Sequence, residues 1–120
     1  MLQSMWVRIP PSAPGNKYMK KVIENGHVAV IHNCGWGQAW YSWHGIEELL
    51  FLPELVEIVS SKRETIDEEI AKVLKNYDLE HSWFTDLGIT WVPLAARFII
   101  IDYDGYESVI LENEVNWLVA

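Results

Sequence analysis

A chain of 120 residues has room for one domain, and with half its residues hydrophobic and 22 % charged it is expected to fold rather than stay disordered. Its net charge of −8 argues against a nucleic-acid duplex or an anionic membrane as partner, because phosphates need a basic face. One cysteine, Cys34, allows no internal disulfide and fits a reducing cytoplasm, and no apolar run approaches the roughly 20 residues that span a bilayer.

Residues 1–18 differ from the rest: three prolines, no acidic side chain and no periodicity. They lack the apolar core and cleavage pattern of a signal peptide. Val7-Arg8-Ile9-Pro10 is what the T-loop of a transfer-RNA gene encodes in one frame, so this stretch is expected to be a disordered or mis-annotated leader, with the natural start at Met19. Without Arg8 and Lys17 the remaining 19–120 domain keeps seven basic side chains against 17 acids, a charge of −10.

From Met19 the pattern is regular. Val22 and Ile23 lead into Asn25-Gly26, a type I′ hairpin signal, and His27 to His32 reads as a central strand with Val28 and Val30 on one face and Ala29 and Ile31 on the other. His32-Asn33-Cys34 then leads into Gly35-Trp36-Gly37-Gln38-Ala39-Trp40-Tyr41-Ser42-Trp43-His44-Gly45. Four aromatic rings and three glycines in that stretch suit neither a core helix nor a core strand, since each glycine costs about 0.5–1 kcal/mol there. A shaped loop offering flat indole faces and bare amides is the functional reading; Trp40 and Trp43, three apart, also read as plugs of a small core.

Ile46 to Leu52 precedes Pro53, which suits the first turn of a helix running to Ser60 or Ser61 on a stripe of Leu55, Val56 and Val59. A second helix opens on Thr65-Ile66-Asp67-Glu68, a capping-box pattern, and carries Ile66, Ile70, Val73, Leu74 and Tyr77 at helical spacing. It reads as scaffold with a solvated acidic face. Asp78 to Gly88 reads as a loop holding Trp83 and Phe84. Three antiparallel strands follow, Ile89 to Val92, Arg97 to Asp102 and Glu107 to Leu111, the last two joined at Asp104-Gly105. Val115 to Val119 adds an edge or closes a dimer. The expected fold is α+β, a small antiparallel sheet with two helices inserted between the first and later strands.

The histidines and Cys34 lack metal-ligand spacing, so neither a metal nor a cofactor is expected. Cys34 with His32 is the visible nucleophile-and-base pair, on one face of a strand, and it equally reads as a small buried cysteine. Asp102, Asp104 and Glu107 offer paired carboxylates, although a hairpin tip explains Asp104 without chemistry. Gly35-x-Gly37 is half of a dinucleotide fingerprint. Arg97, the one basic residue in the strand-rich half, reads either as the partner of Asp102 or Asp86 or as a fork for phosphate oxygens.

Gly35-x-Gly37-x-x-Trp40-x-x-Trp43, Leu49-Leu50-Phe51-x-Pro53-x-Leu55-Val56, Trp91-Val92-Pro93, Phe98 and Tyr103-Asp104-Gly105-x-Glu107-Ser108 resemble a small phage and prophage family, identified as the anti-defence sponges that act against Thoeris immunity. The likeness covers nearly everything after residue 26. Trp36 and Gln38 depart from it, since smaller residues are expected there. The resemblance implies a non-enzymatic homodimer or higher homo-oligomer in the host bacterial cytoplasm that sequesters a cyclic ADP-ribose-type signal. The ligand is then expected against Trp36, Gly37, Trp40, Tyr41 and Trp43, with Phe84, Arg97, Tyr103, Asp104, Glu107 and Ser108 completing the site. Rings stack the base for roughly 1–3 kcal/mol each, amides and Arg97 meet the pyrophosphate, and acids take ribose hydroxyls. The alternative is an acidic protein-binding inhibitor of a host defence protein, its indoles docked on a basic surface. A nucleotide-cleaving enzyme is a third reading.

Overall fold

His27 to Asn33 alternates small and branched apolar side chains on both of its faces, and both faces are covered. In this computed structural model, which describes residues 5–9 (backbone alone), 19–37, 39–80 and 86–120, the stretch is the strand β3 (His27–Asn33). It lies inside an antiparallel sheet of order β1 (Met5–Ile9), β2 (Met19–Glu24), β3, β4 (Leu87–Pro93). Val28 pairs with Ile23 on one side and Val92 on the other. Asn25 and Gly26, at φ of 49° and 74°, make the tight β2–β3 turn that Asn-Gly favours.

Among the described residues four helices follow β3: α1 (Tyr41–His44), α2 (Glu48–Phe51), α3 (Pro53–Ser61) and α4 (Ile66–Lys75). The last two carry the amphipathic stripes. Leu55, Val56 and Ile58 of α3 and Ile70, Val73 and Leu74 of α4 bury against Val22, Ala29 and Ile31 on one sheet face. Pro53 opens α3 as expected. The capping box of α4 does not form: Thr65 sits at φ −91°, ψ 12°, not extended, and its hydroxyl donates to Glu69 Oε2 at 2.9 Å. Glu69 is already drawn to Arg63, which also holds Glu57.

The other sheet face is covered by a separate hairpin, β5 (Phe98–Tyr103) and β6 (Tyr106–Leu111). Its register pairs Phe98 with Leu111 and Ile100 with Val109, and these four pack with Ile23, Val28, Val30, Leu50, Phe51 and Val92. The protein is therefore α+β in three layers: helices α3 and α4, the sheet, and the hairpin. The expected single sheet is two, because β5 and β6 lie over β3 and β4 instead of extending them. The alternate residues of the hairpin, Ile99, Ile101, Tyr103 and Tyr106, face outward and are 38–72 % exposed.

Met5–Ile9 pairs along β2, a strand not anticipated in the leader, while residues 10–18 lie outside the described residues. Beyond β6 a single 3-10 turn spans Glu112–Glu114, and Val115 to Ala120 adds no strand to either sheet.

Candidate functional site

Asn33, the last residue of β3, organises the glycine loop. Its side chain is 1 % exposed; Nδ2 donates to Gly35 O at 2.9 Å and Gly105 O at 2.7 Å, and Oδ1 accepts from Asp86 N at 3.1 Å. One amide thus ties the glycine loop, the hairpin turn and the entry to β4 together. The turn itself is Asp104-Gly105, at φ of 52° and 88°, with Asp102 Oδ1 accepting from Gly105 N. Gly37 N donates to Asp104 O at 2.7 Å, and a Cβ on Gly105 would collide with the Gly37 backbone. Glycine is required here for approach as well as for φ.

Around this junction the aromatic residues divide. Trp36 is 68 % exposed and lies 5.9 Å from Tyr103 and 5.3 Å from Tyr106, ring centre to ring centre. These three rings form an outward platform. Trp40, expected at the ligand, is fully buried in the main core with Nε1 donating to Leu49 O at 3.3 Å, which removes it from any surface site. Trp43 lies over Trp40 and His44, and Tyr41 is half-buried beside His44.

Glu107 is corrected in the same way. It has no exposed surface; Oε1 accepts from Asn33 N at 3.0 Å, and Oε2 accepts from Ser42 N at 2.7 Å and Ser42 Oγ at 2.8 Å. The first turn of α1 leaves amide groups without helical partners, and this carboxylate takes one of them. It staples β6 to β3 and α1 and offers no oxygen to a ribose. Ser108 sits half-buried opposite Ile101, Asp104 is exposed in the turn, and Phe84 lies outside the described residues.

Groups with acid–base or nucleophilic capacity are held away from it. Cys34 Sγ lies 3.8 Å from His32 Nδ1, yet burial, then Asp86, then Glu107 push the thiol up, which favours the less reactive protonated form. His32 is engaged on both sides, by Glu107 O at 3.1 Å and Thr90 Oγ1 at 2.7 Å. His44 is pushed down to about 4 by burial, opposed by Glu107; its Nδ1 accepts from Ile46 N at 2.9 Å, so the proton of the neutral ring sits on Nε2. That Nε2 is buried with no hydrogen-bond partner among the described residues, and the ring packs edge-to-face on Trp40 at 4.7 Å. Among the described residues no group of three or more His, Cys, Asp or Glu is arranged to hold a metal.

Arg97 does not join the glycine loop. It precedes β5 at the open end of the hairpin, six residues from Tyr103, which at about 3.3 Å per residue is roughly 20 Å away. Its partner is Glu112, Nε to Oε2 at 3.2 Å, and not Asp102 or Asp86. Arg97 instead lines a cleft of about 620 Å³ with Pro93, Ala96, Leu111, Asn113 and Trp117. A smaller cavity of about 120 Å³ on the Phe98 and Ile99 side shares Arg97 and Trp117. Trp117, expected in an edge strand or dimer contact, is 71 % exposed and belongs to neither sheet. That Trp117 and Arg97 line one cleft is invisible in sequence because 20 residues and a hairpin separate them.

Comparison of the chain with protein-family models, with curated proteins and with solved structures returns no match.

Proposed function

We propose that the protein is a capture module that binds a phosphorylated ring molecule of the cyclic ADP-ribose type and withholds it from a host effector without cleaving it. The observation that carries this reading is the Arg97–Trp117 cleft. It brings Trp117 and Arg97 to one cavity of about 620 Å³, within the roughly 300–1,000 Å³ of small-molecule sites. Glu112 occupies Nε, and the two terminal nitrogens of Arg97, whose side chain is 85 % exposed, have no protein partner among the described residues. A planar fork with two free donors suits phosphate oxygens, and the indole suits a base. Among the cleft's lining residues there is no Cys, His or Ser to act as nucleophile or base, which suits capture rather than cleavage. The resemblance to phage sponges implies the same class of ligand.

The test is calorimetric titration of the purified chain with cyclic ADP-ribose and ADP-ribose, followed by recovery of the ligand from denatured protein for mass measurement. Arg97→Gln and Trp117→Ala are each expected to weaken binding at least about tenfold, near 1.4 kcal/mol. Glu112→Gln is expected to tighten it, since that carboxylate repels phosphate and holds Nε. Equal binding by wild type and Arg97→Gln, or recovery of an altered ligand, overturns the reading.

A further inference from the structure

The platform of Trp36, Tyr103 and Tyr106 is not used by that cleft, and it lies at the other end of the hairpin. The fold fixes it firmly: the Gly37–Asp104 hydrogen bond and the Asn33–Gly105 hydrogen bond clamp the glycine loop to the turn, so the rings stay outside instead of collapsing inward. Trp36 and Tyr103 remain 68 % and 72 % exposed, a cluster that folding alone does not require.

The loop and turn that carry these rings, residues 34–37 and 103–106, hold an aspartate and no basic side chain. Asp86 Oδ2 lies 2.7 Å from the point a Cβ on Gly35 would occupy, and Asp104 follows Tyr103 in the turn bonded to Gly37, so Trp36 stands between two residues that each touch an aspartate. Asp102, paired with the buried Glu107, lies on the opposite face of the hairpin from the rings, and its Oδ1 accepts from Gly105 N. Among the described residues the salt bridges belong to Arg63 and Arg97, so neither Asp86 nor Asp104 forms one, although Asp86 lines a cleft with Arg63. A phosphate is repelled from such a surface. A cation that spreads over a π face and donates to carboxylates is attracted by both features, and a guanidinium stacks as a plane where an ammonium does not.

We propose that the Trp36–Tyr103–Tyr106 platform, with Asp104 in its turn and Asp86 against Gly35, docks an arginine-bearing segment of a partner protein. A second copy of this chain is the poorer occupant, because it brings a net charge of −8 to an already acidic face.

The test uses the full chain and a six-residue probe peptide of two arginines spaced by glycines, with a peptide in which both arginines are replaced by citrulline and one in which they are lysine. By calorimetry at low salt the arginine peptide is expected to bind, the lysine peptide more weakly, and the citrulline peptide, equally planar but uncharged, about tenfold more weakly or not at all. Trp36→Ala and Tyr103→Ala are each expected to weaken the arginine peptide several-fold while leaving cyclic ADP-ribose binding unchanged; Glu68→Gln on α4 is expected to leave peptide binding unchanged. Near-ultraviolet circular dichroism of Tyr103→Phe, which keeps a ring, controls for folding. Undiminished peptide binding by Trp36→Ala, or a self-association in sedimentation that Trp36→Ala abolishes, overturns the proposal.

Discussion

His44 packs against the rings of Trp40, Tyr41 and Trp43, and a second proton would have to sit on Nδ1, where the Ile46 amide already donates. Burial holds it at about 4, below the 6.5 of an exposed histidine, so between these values the unfolded chain binds the proton more readily than the folded one. Stability is therefore full above pH 6.5 and is lost as the pH falls toward 4. At about 1.4 kcal/mol per unit, discounted for the ring's partial solvent contact, the loss is roughly 2 kcal/mol. Urea titrations at pH 7 and pH 4.5 are expected to show it, with His44→Asn, which keeps an acceptor for the Ile46 amide, losing less over the same interval. An equal loss in both proteins locates the acid sensitivity elsewhere. At this scale the sequence misleads where spacing serves two ends: Trp40 and Trp43 at i and i+3 fit a pocket wall and a core plug equally, and Trp40 is the plug. Glu107 is legible as a carboxylate near a hairpin tip, but nothing in its neighbours announces that Asn33 and Ser42, 74 and 65 residues away, claim its oxygens.

Among the elements, those governed by local chemistry were readable. Asn25-Gly26 and Asp104-Gly105 both have positive φ at the two turn residues, as a type I′ turn demands, and the stripe of α4 buries Ile70, Val73 and Leu74. The cap of α4 was not, because Arg63 and Thr65 compete for Glu69 in a way that spacing does not reveal. The two hairpin glycines also differ in what they must fit. Gly26 has nothing within 4 Å of the Cβ position, whereas a Cβ on Gly105 meets the Gly37 carbonyl. Gly26→Ala is thus expected to cost only the left-handed backbone penalty, about 1–2 kcal/mol. Gly105→Ala adds a collision with backbone that cannot rotate away and is expected to cost at least about 1 kcal/mol more, with faster hydrogen exchange at the Gly37 amide. Equal destabilisation of the two variants means that the glycine loop does not depend on its seat against the hairpin.

For the whole molecule, what sequence hid is which strands share a sheet. β5 and β6 pair locally, and their placement over β3 and β4 depends on Phe98, Ile100, Val109 and Leu111 meeting Val28, Val30 and Val92, contacts no local pattern encodes. That placement carries Arg97 away from the glycine loop and toward Trp117, so one expected site became a cleft and a platform at opposite ends of the hairpin. Charge is the remaining global property. Acids outnumber bases 17 to 9, and among the described residues Arg63 and Arg97 alone form ion pairs, so repulsion among carboxylates outweighs the attraction those exposed pairs supply. Screening removes both, and the larger sum is repulsive. Raising sodium chloride from about 20 mM, where the screening length exceeds 20 Å, to about 1 M, where it is near 3 Å, is therefore expected to stabilise the fold by on the order of 1 kcal/mol. The rise should show as a higher urea midpoint at unchanged slope, and chloride is the salt to use, since sulfate strengthens apolar burial by exclusion and would mimic the effect. A midpoint that falls with salt means that the acids are placed to attract and that the balance drawn here has the wrong sign.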